Sequence, residues 1–184
     1  MIQFRIEKLG EVASTNTLLL ERARQGAREG LVITSDHQTA GRGKPGRQWL
    51  SPPGKNLLCS ILLRPPLSPA QAPMLTQIAC RTVAKVLKEK YDIASEFKRP
   101  NDVIVGSRKI CGTLVETSAT GGELNATVIG IGLNVNAEKA EIPEEAASMK
   151  LITGKTYSRD EILGNILGEL ALKLEEFYST KTIK

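Results

Sequence analysis

From Ile2 to Glu7, apolar and polar residues alternate with the period of a short strand. Ser14-Thr15-Asn16 then precedes Leu18, Leu19, Leu20 and Ala23, a helical pattern ending near Gly26. Leu31 to Ser35 and Asn56 to Arg64 read as two further strands. Between them, Gln38 to Gly54 holds four glycines and three prolines, which predicts a long loop with a short strand around Trp49. Ser68-Pro69-Ala70-Gln71 supplies an N-cap, a proline at the first helical position and a capping-box glutamine. Leu75, Ile78, Ala79, Val83, Val86 and Leu87 carry a helical stripe on to about Lys90. Glu96 to Asn136 alternates like strands broken at Gly106-Ser107 and Gly121-Gly122, an antiparallel meander with two hairpin turns. Ser158-Arg159-Asp160-Glu161 opens a last helix that buries Ile162, Leu163, Ile166, Leu167, Leu170, Leu174 and Phe177. The order predicts an α+β domain, a mixed, largely antiparallel sheet covered on one side by helices. No two helices are adjacent across a short turn, which excludes a helix-turn-helix and with it the commonest route to DNA.

A chain of 184 residues without a repeat or linker is room for one domain, and 41% hydrophobic with 24% charged residues excludes disordered, collagen-like and coiled-coil classes. The longest nearly apolar stretch, Leu57 to Leu63, is far short of the roughly 20 residues that cross a bilayer. Arg5, Glu7 and Lys8 stand where a signal peptide would be apolar, so the chain reads as soluble and cytoplasmic, with no membrane partner. Cys59, Cys80 and Cys111 form no CxxC pair and share the chain with one histidine, His37, so they read as buried, reduced thiols. The net charge of +5 permits an anionic partner without identifying one.

Charge is concentrated where the glycines are. Gly41-Arg42-Gly43-Lys44-Pro45-Gly46 satisfies the GxGxxG expression, but Pro45 and Ser51-Pro52-Pro53-Gly54 leave no helix for a pyrophosphate to cap. Arg47 and Gln48 stand where a P-loop needs Lys and Ser or Thr. What remains is a loop with accessible backbone N–H groups, the cations Arg42, Lys44 and Arg47, and the indole of Trp49. It is either a clamp for a nucleotide-like anion or a solvated surface loop. Further on, a two-residue turn at Gly106-Ser107 pairs 105 with 108, 104 with 109 and 102 with 111. Asp102, Ile104, Lys109 and Cys111 then share a face, with Lys109 ~7–8 Å from Asp102 at the backbone. That pair is either a cross-strand ion pair or a catalytic carboxylate and ammonium. Gly130-Ile131-Gly132-Leu133-Asn134-Val135-Asn136 places two glycines in a strand, as where a group must pass close to the backbone, and turns Asn134 and Asn136 the same way.

Together these segments resemble the catalytic domain of biotin protein ligases. The likeness runs through Ser14-Thr15-Asn16, the stretch from Gln38 to Trp49 with Ser51-Pro52, Lys98-Arg99-Pro100-Asn101-Asp102, Lys109-Ile110-Cys111-Gly112 and Gly130 to Asn136, in the family's order and spacing over about residues 10 to 178. The resemblance implies the class II aminoacyl-tRNA synthetase/biotin ligase-like fold. It implies activation of biotin by ATP to biotinyl-5′-AMP, then transfer to a lysine of a biotin carboxyl carrier protein, with Mg²⁺ as cofactor. It gives Lys109, Asp102 and Arg42 catalytic roles. Ser14, Thr15, Asn16, Gln38, Gly41, Arg42, Gly43, Lys44, Lys109 and Gly112 would meet biotin. Arg42, Lys44, Arg47, Trp49, Asn101, Asp102, Lys109 and Asn134 would meet ATP or the adenylate, with Asp102 on the metal.

This sequence departs from the family's pattern at Lys44, where Arg is usual and a bidentate fork is lost, and at Arg99, where Trp is usual. The expectation is one catalytic domain over residues 1–184 with neither an N-terminal helix-turn-helix domain nor a C-terminal β-barrel, hence an enzyme that is not a DNA-binding regulator. The exposed edge of a meander offers a route to a homodimer. Lipoate or octanoate ligases share the fold, but their glycine loop is of an Arg-Arg-x-Ser-Gly-Gly-Gly type that Gly41 to Arg47 does not match. A basic nucleic-acid-binding module is the competing class, and 4% aromatic residues give it no stacking platform.

Overall fold

The computed structural model describes residues 2–44, 46–120 and 123–180. Among these residues seven strands form one sheet, β1 (Arg5–Val12), β2 (Leu31–Gln38), β3 (Leu57–Leu63), β4 (Glu96–Lys98), β5 (Asp102–Val105), β6 (Arg108–Thr120) and β7 (Glu123–Leu133), in the order β1-β2-β3-β7-β6-β5-β4. β1 runs parallel to β2, with Arg5 opposite Leu31 and Val12 opposite Gln38, and every other pair is antiparallel. The α+β class and the meander match expectation. The Gly121-Gly122 turn between β6 and β7 lies outside the described residues, as does Pro45. The first strand starts and ends later than its alternation predicts, because pairing with β2 carries it through Gly10 to Val12.

Among the described residues four α-helices complete the fold, α1 (Thr15–Arg24), α2 (Ala72–Tyr91), α3 (Met149–Thr153) and α4 (Arg159–Thr180). They do not all lie on one side, which corrects the sequence expectation. Val32, Leu57, Cys59, Ile61, Leu63, Ile129, Ile131 and Leu133 pack with α2 and α4 in the main core. The alternate positions Leu31, Ile33, Leu62, Ala126 and Val128 meet Leu19 and Ala23 of α1 on the opposite face. β3 is therefore buried on both faces, which is why it reads as a continuous apolar run instead of alternating. α1 is too short to cover its whole face. Beyond its N-terminus the side chains of β7 shrink to Gly130 and Gly132, and the sheet lies open there.

Candidate active site

That uncovered stretch of sheet is the floor of an open cavity, with about 690 Å³ of empty space when its mouth and the solvent before it are included. Three walls surround it. The first is the start of α1. Ser14 is the N-cap, its hydroxyl accepting the Thr17 N–H at 3.4 Å. Thr15 donates its N–H and its hydroxyl to Gln38 Oε1 at 2.8 and 3.0 Å. Ser60, the one polar residue within the apolar run of β3, puts its hydroxyl 2.7 Å from Thr15 Oγ1 and 2.5 Å from Asn16 Oδ1. Asn16 fills the space above Gly130, where a Cβ would sit 2.3 Å from Asn16 Oδ1. Gly130 is a requirement of close approach rather than of flexibility.

The second wall is the glycine-rich loop. Its ends meet where Trp49 N–H donates to Gly41 O at 3.0 Å, with an isolated bridge between Arg42 and Gln48 and a Gly43 N–H to Arg47 O bond of 2.9 Å. A Cβ on Gly41 would lie 2.4 Å from Trp49 O, so the glycine lets the two loop ends touch. Arg42, Gly43, Lys44 and Arg47 line the cavity. Arg42 is ion-paired with Glu116 at 2.7 Å. Trp49 folds inward over the bare backbone, where Cβ atoms on Gly132 and Gly112 would come within 2.5 and 3.0 Å of its indole.

The third wall is the hairpin of β5 and β6. The predicted register holds at Val105–Arg108 and Ile104–Lys109 and then slips, because Ile110 is an extra residue on β6 and Asp102 pairs with Gly112, not with Cys111. The bulge sends Ile110 and Cys111 into the core and leaves Lys109 and Gly112 lining the cavity. Cys111 thus does not share a face with Asp102, contrary to expectation. Lys109 Nζ stands 2.7 Å from Asp102 Oδ1 and 5.3 Å from the Trp49 ring centroid. Its backbone is fixed on both sides, N–H to Glu145 O at 3.0 Å and C=O from the Ala147 N–H at 2.8 Å. Asn101 donates to Thr113 O at 2.7 Å, while its Oδ1 is buried and accepts no bond among the described residues.

Thirteen of the sequence-predicted positions therefore converge on one cavity, namely Ser14, Thr15, Asn16, Gln38, Arg42, Gly43, Lys44, Arg47, Trp49, Asn101, Asp102, Lys109 and Gly112. Two do not line it. Gly41 sits where the two loop ends touch, and Asn134 is buried, its amide donating to Ala147 O at 3.0 Å and accepting from Asn56 at 3.2 Å. Asn134 braces the segment that fixes the Lys109 backbone. Sequence reasoning passed over Ser60, Glu116 and Asn56. The first two carried a legible signal, a lone hydroxyl inside an apolar run and the single acid of β6.

Cys59 also borders the cavity, and burial pushes its thiol up to about 12, so it is neutral and no nucleophile at ordinary pH. All three cysteines are free and buried. Among the described residues no group of three or more His, Cys, Asp or Glu is placed to hold a metal ion, and no helix is long and apolar enough to cross a membrane.

Residues 9–134 match the family model described as the biotin/lipoate A/B protein ligase family. The bifunctional ligase/repressor BirA of Bacillus subtilis is 33% identical over 160 residues, 85% of this chain and 49% of that protein. A biotin–acetyl-CoA-carboxylase ligase of Mycobacterium tuberculosis is 29% identical over 175 residues, 92% of this chain and 64% of that one. The chain thus spans about half the length of the BirA proteins it matches. Among solved structures, the biotin protein ligase of Aquifex aeolicus in complex with biotin and ATP superposes with a TM-score of 0.82 at 33% identity, covering 96% of this chain and 72% of that one. The Leishmania major enzyme with biotinyl-5-AMP gives 0.71 at 28% identity, covering 94% and 75%. The chain belongs to the biotin/lipoate A/B protein ligase family and stands with its biotin protein ligases.

Proposed function

We propose that this chain activates biotin with ATP and passes it to a lysine of a biotin carboxyl carrier protein. The observation that carries the proposal is the convergence of loop cations, Lys109 and the Trp49 indole on one cavity. In the first step a biotin carboxylate oxygen attacks the α-phosphorus of ATP. The new P–O bond forms as the bond to the β-phosphate bridging oxygen breaks, and pyrophosphate leaves. Two anions must approach each other, and Lys109, Arg42, Lys44 and Arg47 offset that repulsion in a site partly shielded from water. In the second step the carrier amine attacks the mixed-anhydride carbonyl. The C–N bond forms, AMP leaves and the amine loses its proton. Lys109, held from its backbone by the segment at 145–147, keeps its ammonium where the acyl oxygen carries developing charge.

Roles divide along the walls. Ser14, Thr15, Asn16 and Gln38 offer the polar groups that a cyclic urea can bond, while Trp49, seated on Gly112 and Gly132, offers an indole on which a planar ring can stack. A Mg²⁺ ion that arrives on nucleotide phosphates needs only one or two protein oxygens. The Asp102 carboxylate and the unpartnered Asn101 Oδ1 are hard donors of that kind. The ion would supply charge compensation for the leaving pyrophosphate. A reaction that consumes ATP, in a chain with three buried free thiols, fits the cytoplasm.

The test is to incubate the chain with ATP, Mg²⁺ and biotin, follow biotinyl-5′-AMP by mass spectrometry, then add a carrier domain and blot for bound biotin. Adenylate followed by labelled carrier is the expected result. Adenylate absent at all biotin concentrations would contradict the proposal.

A further inference from the structure

Resting on that reading of the cavity, we propose that Glu116 is the positioning residue for Arg42. It sets the guanidinium of the glycine-rich loop in place to meet the nucleotide phosphates without itself touching them. Glu116 stands on β6 opposite Val128, 24% exposed, and does not line the cavity. Its Oε2 accepts from Arg42 Nη2 at 2.7 Å and from Asn16 Nδ2 at 2.9 Å. Asn16 is itself locked, bonded also to Leu114 O and to the Ser60 hydroxyl and seated over Gly130. A floor residue thereby orients the carboxylate, and the carboxylate orients the loop cation.

The need for such a post follows from the sequence. Arg42 lies between Gly41 and Gly43 on a long side chain that is 43% exposed, and an arginine so placed loses substantial rotamer entropy when it closes on a ligand. Holding one edge of the guanidinium beforehand reduces that loss at the moment of binding. Only Nη2 is engaged with Glu116, so among the described residues the remaining guanidinium N–H groups are available to an anion.

Charge and position make opposite predictions, which lets them be separated. A carboxylate beside a phosphate site lowers its positive potential, so if the field alone mattered, removing the charge of Glu116 would tighten ATP binding. If position matters, the same change weakens it. The experiment is ATP–pyrophosphate exchange with biotin for Glu116→Gln and Glu116→Ala, each in the unaltered chain and in an Arg42→Ala background, with thermal melts of every variant. We expect Glu116→Ala to raise the KM for ATP about five- to tenfold with kcat changed less than about twofold, Glu116→Gln to raise it less, and Glu116→Ala to add less than about twofold once Arg42 is gone. An unchanged or lowered KM overturns the role, and so does an equal fold-loss in both backgrounds, which marks a structural residue. The near-isosteric Glu116→Gln keeps an acceptor for Asn16 and covers the case in which the alanine variant melts early. Absence of exchange in the unaltered chain would instead overturn the reading on which the role rests.

Discussion

At the scale of single residues, Lys109 and Asp102 meet at 2.7 Å with 36% and 24% of their side chains exposed. An ion pair that open contributes under about 1 kcal/mol to stability. Lys109→Ala is therefore expected to leave the melting temperature within a few degrees while slowing pyrophosphate exchange by about 10²–10³-fold, the usual cost of removing a donor aimed at developing charge. Equal exchange rates in mutant and parent would remove Lys109 from the chemistry. Gly132 makes a complementary prediction. Its Cβ would sit 2.5 Å from the Trp49 indole, so Gly132→Ala displaces the one tryptophan of the chain. The native emission spectrum is expected to shift and the KM for ATP to rise, whereas an unchanged spectrum would mean that the indole does not rest on this strand.

At the scale of elements, α1, α2, α4 and most strands were legible because period and punctuation agreed, as at Ser68-Pro69-Ala70-Gln71 before α2 and Ser158 before α4, while the five-residue α3 was not read. The site was legible less evenly. Asp102 and Lys109 were found, but the bulge at Ile110 that separates Lys109 from Cys111 leaves no local signature, since a buried, apolar Ile110 is also what unbroken alternation after Lys109 would give. The buried setting of Asn134 was not legible for a related reason. The position of a polar residue just past the end of β7 does not say whether it faces a ligand or the segment at 145–147. Arg64 shows how an element end is secured at a distance. Its guanidinium donates to Ala23 O at 3.0 Å, Ala27 O at 2.9 Å and Asn125 O at 2.7 Å, gathering carbonyls where α1 finishes. Arg64→Ala should cost about 1–2 kcal/mol in urea unfolding, reduced from the sum of three charged bonds because the side chain is exposed. A midpoint shift within error would show those carbonyls to be equally well served by water.

At the scale of the whole molecule, one sheet does two jobs. Its α2–α4 face is core, and its α1 face changes along β7 from core at Val128 to cavity at Gly130 and Gly132. Sequence pattern alone did not divide the faces, because β3 is apolar on both and so carries no alternation to read. The cysteines report on that core. Burial raises Cys59 to about 12 and Cys80 to about 11 from an ordinary 9.0, and holds Cys111 well above 9.0 too. The thiols are protonated in both native and unfolded chains below about pH 9. Above it the unfolded chain ionises first, so stability is expected to fall as pH rises from 9. Iodoacetamide at pH 8 should label the three thiols only as fast as the chain unfolds, and rapid native labelling would contradict the closed core.

The central claim, that this cavity joins biotin and a nucleotide, is tested most directly by ATP–pyrophosphate exchange with Mg²⁺, run in parallel with biotin, lipoate and octanoate. No carrier protein is needed, so the result reports on the cavity alone. Exchange supported by biotin and not by the two fatty-acid-like substrates is the predicted outcome. Exchange with lipoate or octanoate in place of biotin, or with none of the three, would contradict it.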